Sequence, residues 1–168
     1  MLKFIDLFSG IGGFRLALES LGLECVFSSE IDKFARQTYK ANFETEPSGD
    51  ITKISSDEIP NHDILCAGFP CQAFSIAGKR RGFDDTRGTL FFEVARIIKD
   101  KQPKAFILEN VPGLVSHDSG KTFQTIIDTL ATTINGQKSF LETDNLGYHV
   151  YFGYLNSKDF GVAQNRKR

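Results

Sequence analysis

The chain has 168 residues and a mass of 18.7 kDa, which is the size of one domain that can bury about 70% of its unfolded surface. Its 24% charged and 40% hydrophobic residues exclude a disordered protein, and its net charge of -1 excludes a uniformly basic nucleic-acid-binding protein, although not a local basic patch. Three cysteines are too few for a disulfide scaffold, and neither a membrane span of ~20 apolar residues nor a secretory signal is present, so we expect a cytoplasmic protein with no membrane partner.

Segments with the patterns of strands and helices alternate along the chain. In chain order the patterns predict a strand at 3–8, a helix at 14–21, a strand at 24–29, a helix at 32–42, a loop with a short strand around 49–51, a strand at 63–67, a helix at 89–100, a strand at 105–108, a helix at 123–134 and a strand at 148–155. This alternation predicts an α/β fold with a doubly wound, mostly parallel sheet. Ligands of such sheets bind beyond the carboxyl ends of the strands.

Apolar spacing sets the expected buried faces of the first two helices. In the first helix the face would consist of Phe14, Leu18 and Leu21, followed by Gly22 as the stop signal. In the second helix one side would carry Phe34, Thr38 and Tyr39. Residues 75–88 are polar, basic and rich in glycine, and are therefore expected to form a loop.

A glycine-rich segment, FSGIGG at 8–13, follows the first predicted strand and opens the first helix. Glycines there let the backbone approach a ligand near the positive end of a helix, although a tight turn is an equal alternative. Arg15 stands where a dinucleotide fingerprint has its third glycine, which disfavours a nicotinamide oxidoreductase. Glu30 ends the second strand about 20 residues later, where an acid can accept hydrogen bonds from ribose hydroxyls or act as a helix-end charge. Together they favour a cofactor that contains adenosine.

Other polar residues follow the later strands. Asp50 is either an acceptor for an adenine amino group or a turn residue. Cys71 lies in a loop where basic neighbours would stabilise its thiolate, whereas Cys25 and Cys66 lie within strands, the usual place of structural cysteines. Glu109 emerges from an apolar strand, where partial desolvation favours a carboxyl group that can hold a proton. The basic end of the chain, 164–168, is most simply a solvated terminus.

Five of these segments together resemble the catalytic part of the DNA cytosine-C5 methyltransferases. They are DLFSGIGG at 6–13, GFPCQ at 68–72, RGTLF at 87–91, ENV at 109–111 and QNRKR at 164–168, in the order in which the family has them. Residues 4–100 resemble the HhaI-like bacterial restriction-modification type in particular, through FRLALES at 14–20 and CAGFPCQAFS at 66–75. The resemblance covers the chain from end to end and implies a Rossmann-like methyltransferase fold.

The resemblance also implies a mechanism in which S-adenosylmethionine methylates C5 of cytosine in double-stranded DNA. Cys71 would attack C6 of the base, because the covalent adduct makes C5 nucleophilic. Glu109 would contact N3 and the exocyclic amino group. Arg166 would stabilise charge on the O2 side and help to position Cys71, and Arg168 would support it electrostatically. No metal is required. The target base would be flipped out of the duplex.

The binding residues are likewise implied by the resemblance. For the cofactor they are Phe8, Gly10, Gly12, Gly13, Glu30, Ile31, Asp50, Ile51, Gly68, Pro70 and Leu90. For the DNA they are Gln72 and Ser75 near the flipped nucleotide and Lys79, Arg80, Arg81 and Arg87 on the loop at 75–88 that would close on the duplex.

The sequence departs from the family at its end. In the family a target-recognition domain and a closing segment follow the last of these motifs, so we expect residues 1–168 to be an incomplete catalytic and cofactor-binding domain, either a truncated product or one half of a split enzyme with a separate C-terminal polypeptide. A cognate restriction endonuclease would be a functional partner. Two alternatives stay open: a tRNA cytosine-C5 methyltransferase, which has the same five motifs, and an inactive remnant that binds cofactor or nothing.

Overall fold

The computed structural model describes residues 1–70, 90–138 and 145–168. These residues form two compact units. The first unit comprises Met1–Phe69 and Phe92–Glu109, and the second comprises Asn110–Arg168 with the described residues of Pro70–Phe91. The expectation of one catalytic and cofactor-binding domain over residues 1–168 stays a prediction.

The first unit contains a parallel sheet of four strands. In chain order they are β1 (Lys3–Leu7), β2 (Glu24–Ser29), β3 (Ile64–Ala67) and β4 (Ala105–Leu108), and their order across the sheet is β2-β1-β3-β4. Because all neighbours are parallel, the carboxyl ends of the four strands lie at one edge. The α/β fold with a parallel sheet is confirmed.

Three helices alternate with these strands: α1 (Gly13–Glu19), α2 (Lys33–Phe43) and α3 (Leu90–Lys101). Asp32 caps α2, since its side chain accepts a hydrogen bond of 2.7 Å from the Ala35 N–H. The unit has an apolar core in which the sheet and the last helix both take part, including Phe4, Ile5, Leu7, Leu65, Val94, Ile97 and Ile98, all fully buried.

The second unit contains α4 (Lys121–Leu130) and a three-stranded sheet. Its strands are β5 (Ala131–Ile134), β6 (Gln137–Lys138) and β7 (Tyr148–Val150), in the order β6-β5-β7. β5 pairs with β6 antiparallel and with β7 parallel. Ile126, Ile127 and Leu130 give α4 its buried stripe.

Two predicted faces and three predicted elements are wrong in part. In α2, Tyr39 of the predicted side is buried whereas Phe34 is 73% exposed, so only part of the predicted side faces inward. Leu21 lies beyond the end of α1 and is exposed. The segment at 49–51 leads into a 3-10 turn, Ile51–Lys53, instead of a strand.

The predicted helix at 123–134 ends at Leu130, because residues 131–134 join the second sheet. Asn135 and Gly136, both with positive φ, then form the tight turn into β6. The predicted strand at 148–155 is regular only to Val150. Within the described part of the chain, no helix has the length and apolar character needed to cross a bilayer.

Candidate functional site

The loop that leaves β1 carries three residues in the left-handed region. The φ angles of Phe8, Gly10 and Gly12 are 56°, 54° and 95°. The Ser9 N–H donates to the Ser29 carbonyl at 3.0 Å, which ties the loop to the end of β2, and the Gly12 N–H donates to the Ser9 carbonyl at 2.8 Å. The chain therefore makes a tight turn that keeps its backbone at the carboxyl edge of the sheet before Gly13 opens α1.

Glu30 connects this glycine loop to the start of α2. One of its carboxylate oxygens accepts a 2.8 Å hydrogen bond from the Gly10 N–H, and the other accepts one of 2.8 Å from the Asp32 N–H. Each oxygen retains a further lone pair that a hydroxyl group can use. Ile31, the next residue, is 70% exposed. The structure thus brings together the glycine loop and the acid that the sequence assigned to one site.

Asp50 acts as a capping residue in this structure. One carboxylate oxygen accepts hydrogen bonds from the Thr52 backbone N–H at 3.0 Å and the Thr52 hydroxyl at 2.8 Å. These hydrogen bonds hold the pKa of Asp50 below its ordinary value. Ile51 is buried. Within the chain, Asp50 therefore acts as the predicted turn residue. Its contact with adenine stays a prediction.

Asp6 is a feature of the site that the sequence analysis gave no role. It is fully buried in β1, beside Ser28 of β2 and Cys66 of β3, and neither carboxylate oxygen makes a hydrogen bond of normal geometry within the described residues. Burial raises the pKa of Asp6 to about 7, with a smaller contribution from the charge of Glu30, and the nearby Arg15 only partly offsets this rise. In the sequence, an acidic residue among the apolar residues of β1 is the feature that could have indicated a functional role for Asp6.

Gly68 and Glu109 lie together where β3 and β4 end. The Glu109 N–H donates to the Ala67 carbonyl at 2.9 Å, which extends the ladder between the two strands by one residue. A Cβ atom on Gly68 would lie 3.3 Å from a carboxylate oxygen of Glu109. A glycine at position 68 therefore leaves the Glu109 carboxylate room that a larger residue would crowd.

Cys25 and Cys66, the two cysteines within strands, have raised pKa values, whereas a reactive thiol has a lowered one. Cys66 is fully buried, and burial together with the neighbouring Asp6 raises its pKa to about 12. Burial also raises the pKa of Cys25. Both therefore suit the structural role that the sequence predicts for them. Cys71 and the predicted DNA-contacting residues lie outside the described residues, namely Gln72, Ser75, Lys79, Arg80, Arg81 and Arg87.

The predicted arginines lie in the second unit, on a short antiparallel pairing near the end of the chain. Leu155 and Arg168 exchange backbone hydrogen bonds of 2.9 and 2.8 Å, and the Ser157 N–H donates to the Arg166 carbonyl at 3.0 Å. The Asn156 side chain accepts from the Arg166 N–H at 3.1 Å and donates to the Asn165 side chain at 2.8 Å. Asn156 thus organises this segment, a role that its sequence context did not signal.

Pro70 and Leu90 complete the set of described candidates. Both group with the second unit, whereas the glycine loop, Glu30, Asp50 and Gly68 belong to the first. Their predicted part in the cofactor pocket stays a prediction.

The family model for C-5 cytosine-specific DNA methylases matches residues 2–168, and the chain belongs to this family. It is 58% identical over 168 residues to the Type II methyltransferase M.NgoBI of Neisseria gonorrhoeae, covering all of this chain and 49% of that protein. It is 51% identical over 167 residues to the Type II methyltransferase M.HhaI of Haemophilus parahaemolyticus, covering 99% of this chain and 47% of that protein. The chain therefore spans about half the length of these curated relatives, and the predicted resemblance is confirmed.

Solved structures agree with this fold. A putative DNA modification methyltransferase from an Escherichia coli prophage matches with a TM-score of 0.59 and 26% identity, over 76% of this chain and 37% of that one. The Dnmt2 methyltransferase of Schizosaccharomyces pombe matches with a TM-score of 0.65 over 99% of this chain and 47% of that one. At 17% identity the second match supports the fold alone.

Proposed function

We propose that this chain carries the catalytic part of an enzyme that transfers a methyl group from S-adenosylmethionine to C5 of cytosine in double-stranded DNA. The observation that carries the proposal is the Glu30 carboxylate, joined by hydrogen bonds to the glycine loop at one edge of a parallel sheet, in a chain of this family. That is where an α/β fold binds a nucleoside.

The residues at this edge fit S-adenosylmethionine, which supplies the methyl group. Glu30 has lone pairs for the ribose hydroxyls, and the exposed Ile31 offers an apolar surface for the adenine. The buried hydroxyls of Ser9 and Ser29 and the carboxylate of Asp6 make no hydrogen bond of normal geometry within the described residues. Buried polar atoms of this kind usually have a partner, which a polar ligand or water can provide. The remaining members of the proposed cofactor set are Phe8, Gly10, Gly12, Gly13, Asp50, Ile51, Gly68, Pro70 and Leu90.

The chemistry on the base falls to Cys71 and Glu109. The Cys71 thiolate adds to C6 of cytosine, and the electron pair of the C5–C6 bond becomes available at C5 for methylation. Glu109 forms hydrogen bonds with N3 and the exocyclic amino group of cytosine, which stabilise the charge that builds on the ring. C5 forms a bond to the methyl carbon as the bond from that carbon to the sulfonium breaks, and S-adenosylhomocysteine leaves. Loss of the C5 proton to solvent then restores the double bond and expels the Cys71 thiolate. Arg166 stabilises negative charge at O2 and helps to position Cys71, and Arg168 supports it electrostatically.

The base must leave the duplex for this reaction, which costs a few kcal/mol of stacking and pairing. We assign contacts with the DNA backbone to the loop residues Lys79, Arg80, Arg81 and Arg87, and contacts near the flipped nucleotide to Gln72 and Ser75. A target-recognition domain would read the DNA sequence. It would correspond to the half of the relatives that this chain does not match, either on the same polypeptide or on a separate one. The enzyme would act in the cytoplasm and protect DNA against a cognate restriction endonuclease.

Transfer of tritiated methyl groups tests this function. Residues 1–168 are mixed with the C-terminal half of M.HhaI and S-adenosylmethionine, and duplex DNA and tRNA are offered in parallel. Labelling of DNA that is lost in Cys71→Ser supports the proposal. Labelling of tRNA alone would favour the tRNA alternative, and no labelling of either substrate by a mixture that forms a complex would favour an inactive remnant.

A further inference from the structure

The turn at Gly12 is held by a residue from another element, Phe43 at the end of α2. A Cβ atom on Gly12 would lie 2.8 Å from Cζ of the Phe43 ring and closer still to its Cε2. Real Cβ atoms essentially never approach that closely, so the ring occupies the place where a side chain at position 12 would be. Gly10, in the same loop, has open space around its missing Cβ.

The Phe43 ring is itself fixed by two neighbours. The guanidinium carbon of Arg15 lies 4.6 Å from the centroid of the ring, within the range of a cation–π contact. The Tyr39 ring packs against it with centroids 4.8 Å apart and planes at 54°. Arg15 also donates a 2.8 Å hydrogen bond to Glu19 and one of 3.3 Å to the Tyr39 hydroxyl, so its own position is set. Moving the Phe43 ring away from Gly12 would therefore break its contacts with Arg15 and Tyr39.

Besides the hydrogen bond from the Ser9 N–H to the Ser29 carbonyl, two contacts attach the glycine loop to its surroundings. Glu30 holds Gly10 through a hydrogen bond of 2.8 Å, and Phe43 fills the space against Gly12. Both contacts keep residues with positive φ in the backbone conformation that brings the loop to the edge of the sheet. A loop already held in its binding conformation loses less entropy when it takes up a ligand.

We infer that Phe43 is a positioning residue for the cofactor loop: its ring packs against Gly12 and holds the loop in the conformation that binds S-adenosylmethionine. This inference rests on the proposed function for the identity of the ligand. It assigns no contact between Phe43 and the cofactor, and Phe43 acts only through Gly12.

Binding of S-adenosylmethionine to residues 1–168, measured by calorimetry, tests the role of the ring. We expect Phe43→Ala to weaken binding by about tenfold and Phe43→Leu, which keeps apolar bulk, to stay within about twofold. Gly12→Ala should weaken binding by more than about tenfold, and the double variant Gly12→Ala/Phe43→Ala should bind more tightly than Gly12→Ala alone, because the smaller residue at 43 makes room.

Two variants control for strain and for general destabilisation. Gly22→Ala places a side chain at another positive φ, 82°, with nothing within 4 Å, and should leave binding unchanged. Ile98→Ala opens a cavity in the core of the same unit and should lower the melting temperature without changing the affinity of the folded protein. Equal losses of affinity in Phe43→Ala and Ile98→Ala, or no loss in Phe43→Ala, would overturn the inference.

Amide hydrogen exchange without cofactor separates this inference from the proposed function. In Phe43→Ala the N–H groups of Gly10 and Gly12 should exchange faster, whereas in Ile98→Ala they should not change relative to the rest of the unit. If the wild-type chain bound no S-adenosylmethionine, the cofactor assignment would fail, and the exchange rates would still decide whether Phe43 holds the loop. Unchanged exchange at both glycines in Phe43→Ala would contradict that role.

Discussion

Substitution of Glu30 tests the proposed binding of S-adenosylmethionine. Replacing Glu30 with alanine removes the carboxylate that we propose as the acceptor for the ribose hydroxyls, and also frees the Gly10 N–H. We expect Glu30→Ala to weaken binding of S-adenosylmethionine by about 1.5–3 kcal/mol, measured by calorimetry. Glu24→Ala is the matched control, because Glu24 is an exposed carboxylate at the other end of β2. Equal affinity in both variants would make Glu30 only a structural acceptor for the loop and for α2.

Asp6 gives the free protein a characteristic dependence on pH. Its pKa rises from 3.8 to about 7 on folding, so the native state binds its proton more tightly than the unfolded chain does. The free energy of unfolding that Asp6 contributes is therefore fully present below about pH 4 and is lost as the pH rises to about 7. Asp6→Asn should remove this loss and stabilise the protein at pH 8 by on the order of 2–4 kcal/mol, a gain that shrinks toward pH 4.

Urea unfolding at several pH values measures this effect. Asp57→Asn, at an exposed position, serves as the control for removing a negative charge. A stability difference between Asp6→Asn and the wild type that stays constant from pH 4 to pH 8 would show that the Asp6 carboxyl does not titrate in this range.

Among the elements, the segment that contains Arg166 is held by backbone pairing and by the side chain of Asn156. Asn156 accepts hydrogen bonds from the N–H groups of Lys158 and Arg166 and donates one to Asn165. We expect Asn156→Ala to lower protection of the Arg166 amide in hydrogen exchange and to cost about 1–2 kcal/mol in local stability. Asn156→Asp keeps the accepting oxygen and should retain most of the protection. Equal exchange in the wild type and Asn156→Ala would remove Asn156 from this role.

The bounds of the helices and strands show which elements the sequence patterns predict correctly. The patterns predict β2 and β4 to the residue, because each contains a short apolar run and lies between two segments with helical spacing. The error at 131–134 has a different cause: apolar spacing continues from α4 through Ile134, although the Asn135–Gly136 turn favours a hairpin. Tertiary packing decides which side of α2 is buried, and spacing alone could not place Tyr39 inside and Phe34 outside.

The candidate site was predictable where it consists of strand ends. The glycine loop, Glu30 and Glu109 follow strands directly, and their places in the fold follow from the parallel sheet. The contacts that hold them were not predictable in the same way. Phe43 and Gly12 are 31 positions apart in the sequence, and Asn156 acts on Arg166 through a pairing that no local pattern indicates.

The chain as a whole has a net charge of -1, which gives it little general attraction to the DNA backbone. Specific reading of a sequence needs side chains at base edges, and we have assigned every motif of residues 1–168 to the cofactor, the chemistry or the DNA backbone and flipped nucleotide. We therefore expect these residues alone to show little or no sequence-specific methylation of mixed-sequence duplex DNA in the tritium assay. Robust, site-specific labelling by residues 1–168 alone would mean that the loop at 75–88 reads bases directly.

The proposed reaction requires a covalent bond between Cys71 and the target cytosine, and this bond can be trapped. Duplex DNA with 5-fluorocytosine at the target position holds the adduct, because fluorine at C5 cannot leave as the proton does. Residues 1–168, the complementing half of M.HhaI and S-adenosylmethionine are incubated with this DNA, and the peptides are mapped by mass spectrometry. We expect a methylated adduct on Cys71 and none in Cys71→Ser. Methylation of ordinary DNA by Cys71→Ser, or an adduct on Cys25 or Cys66, would contradict it.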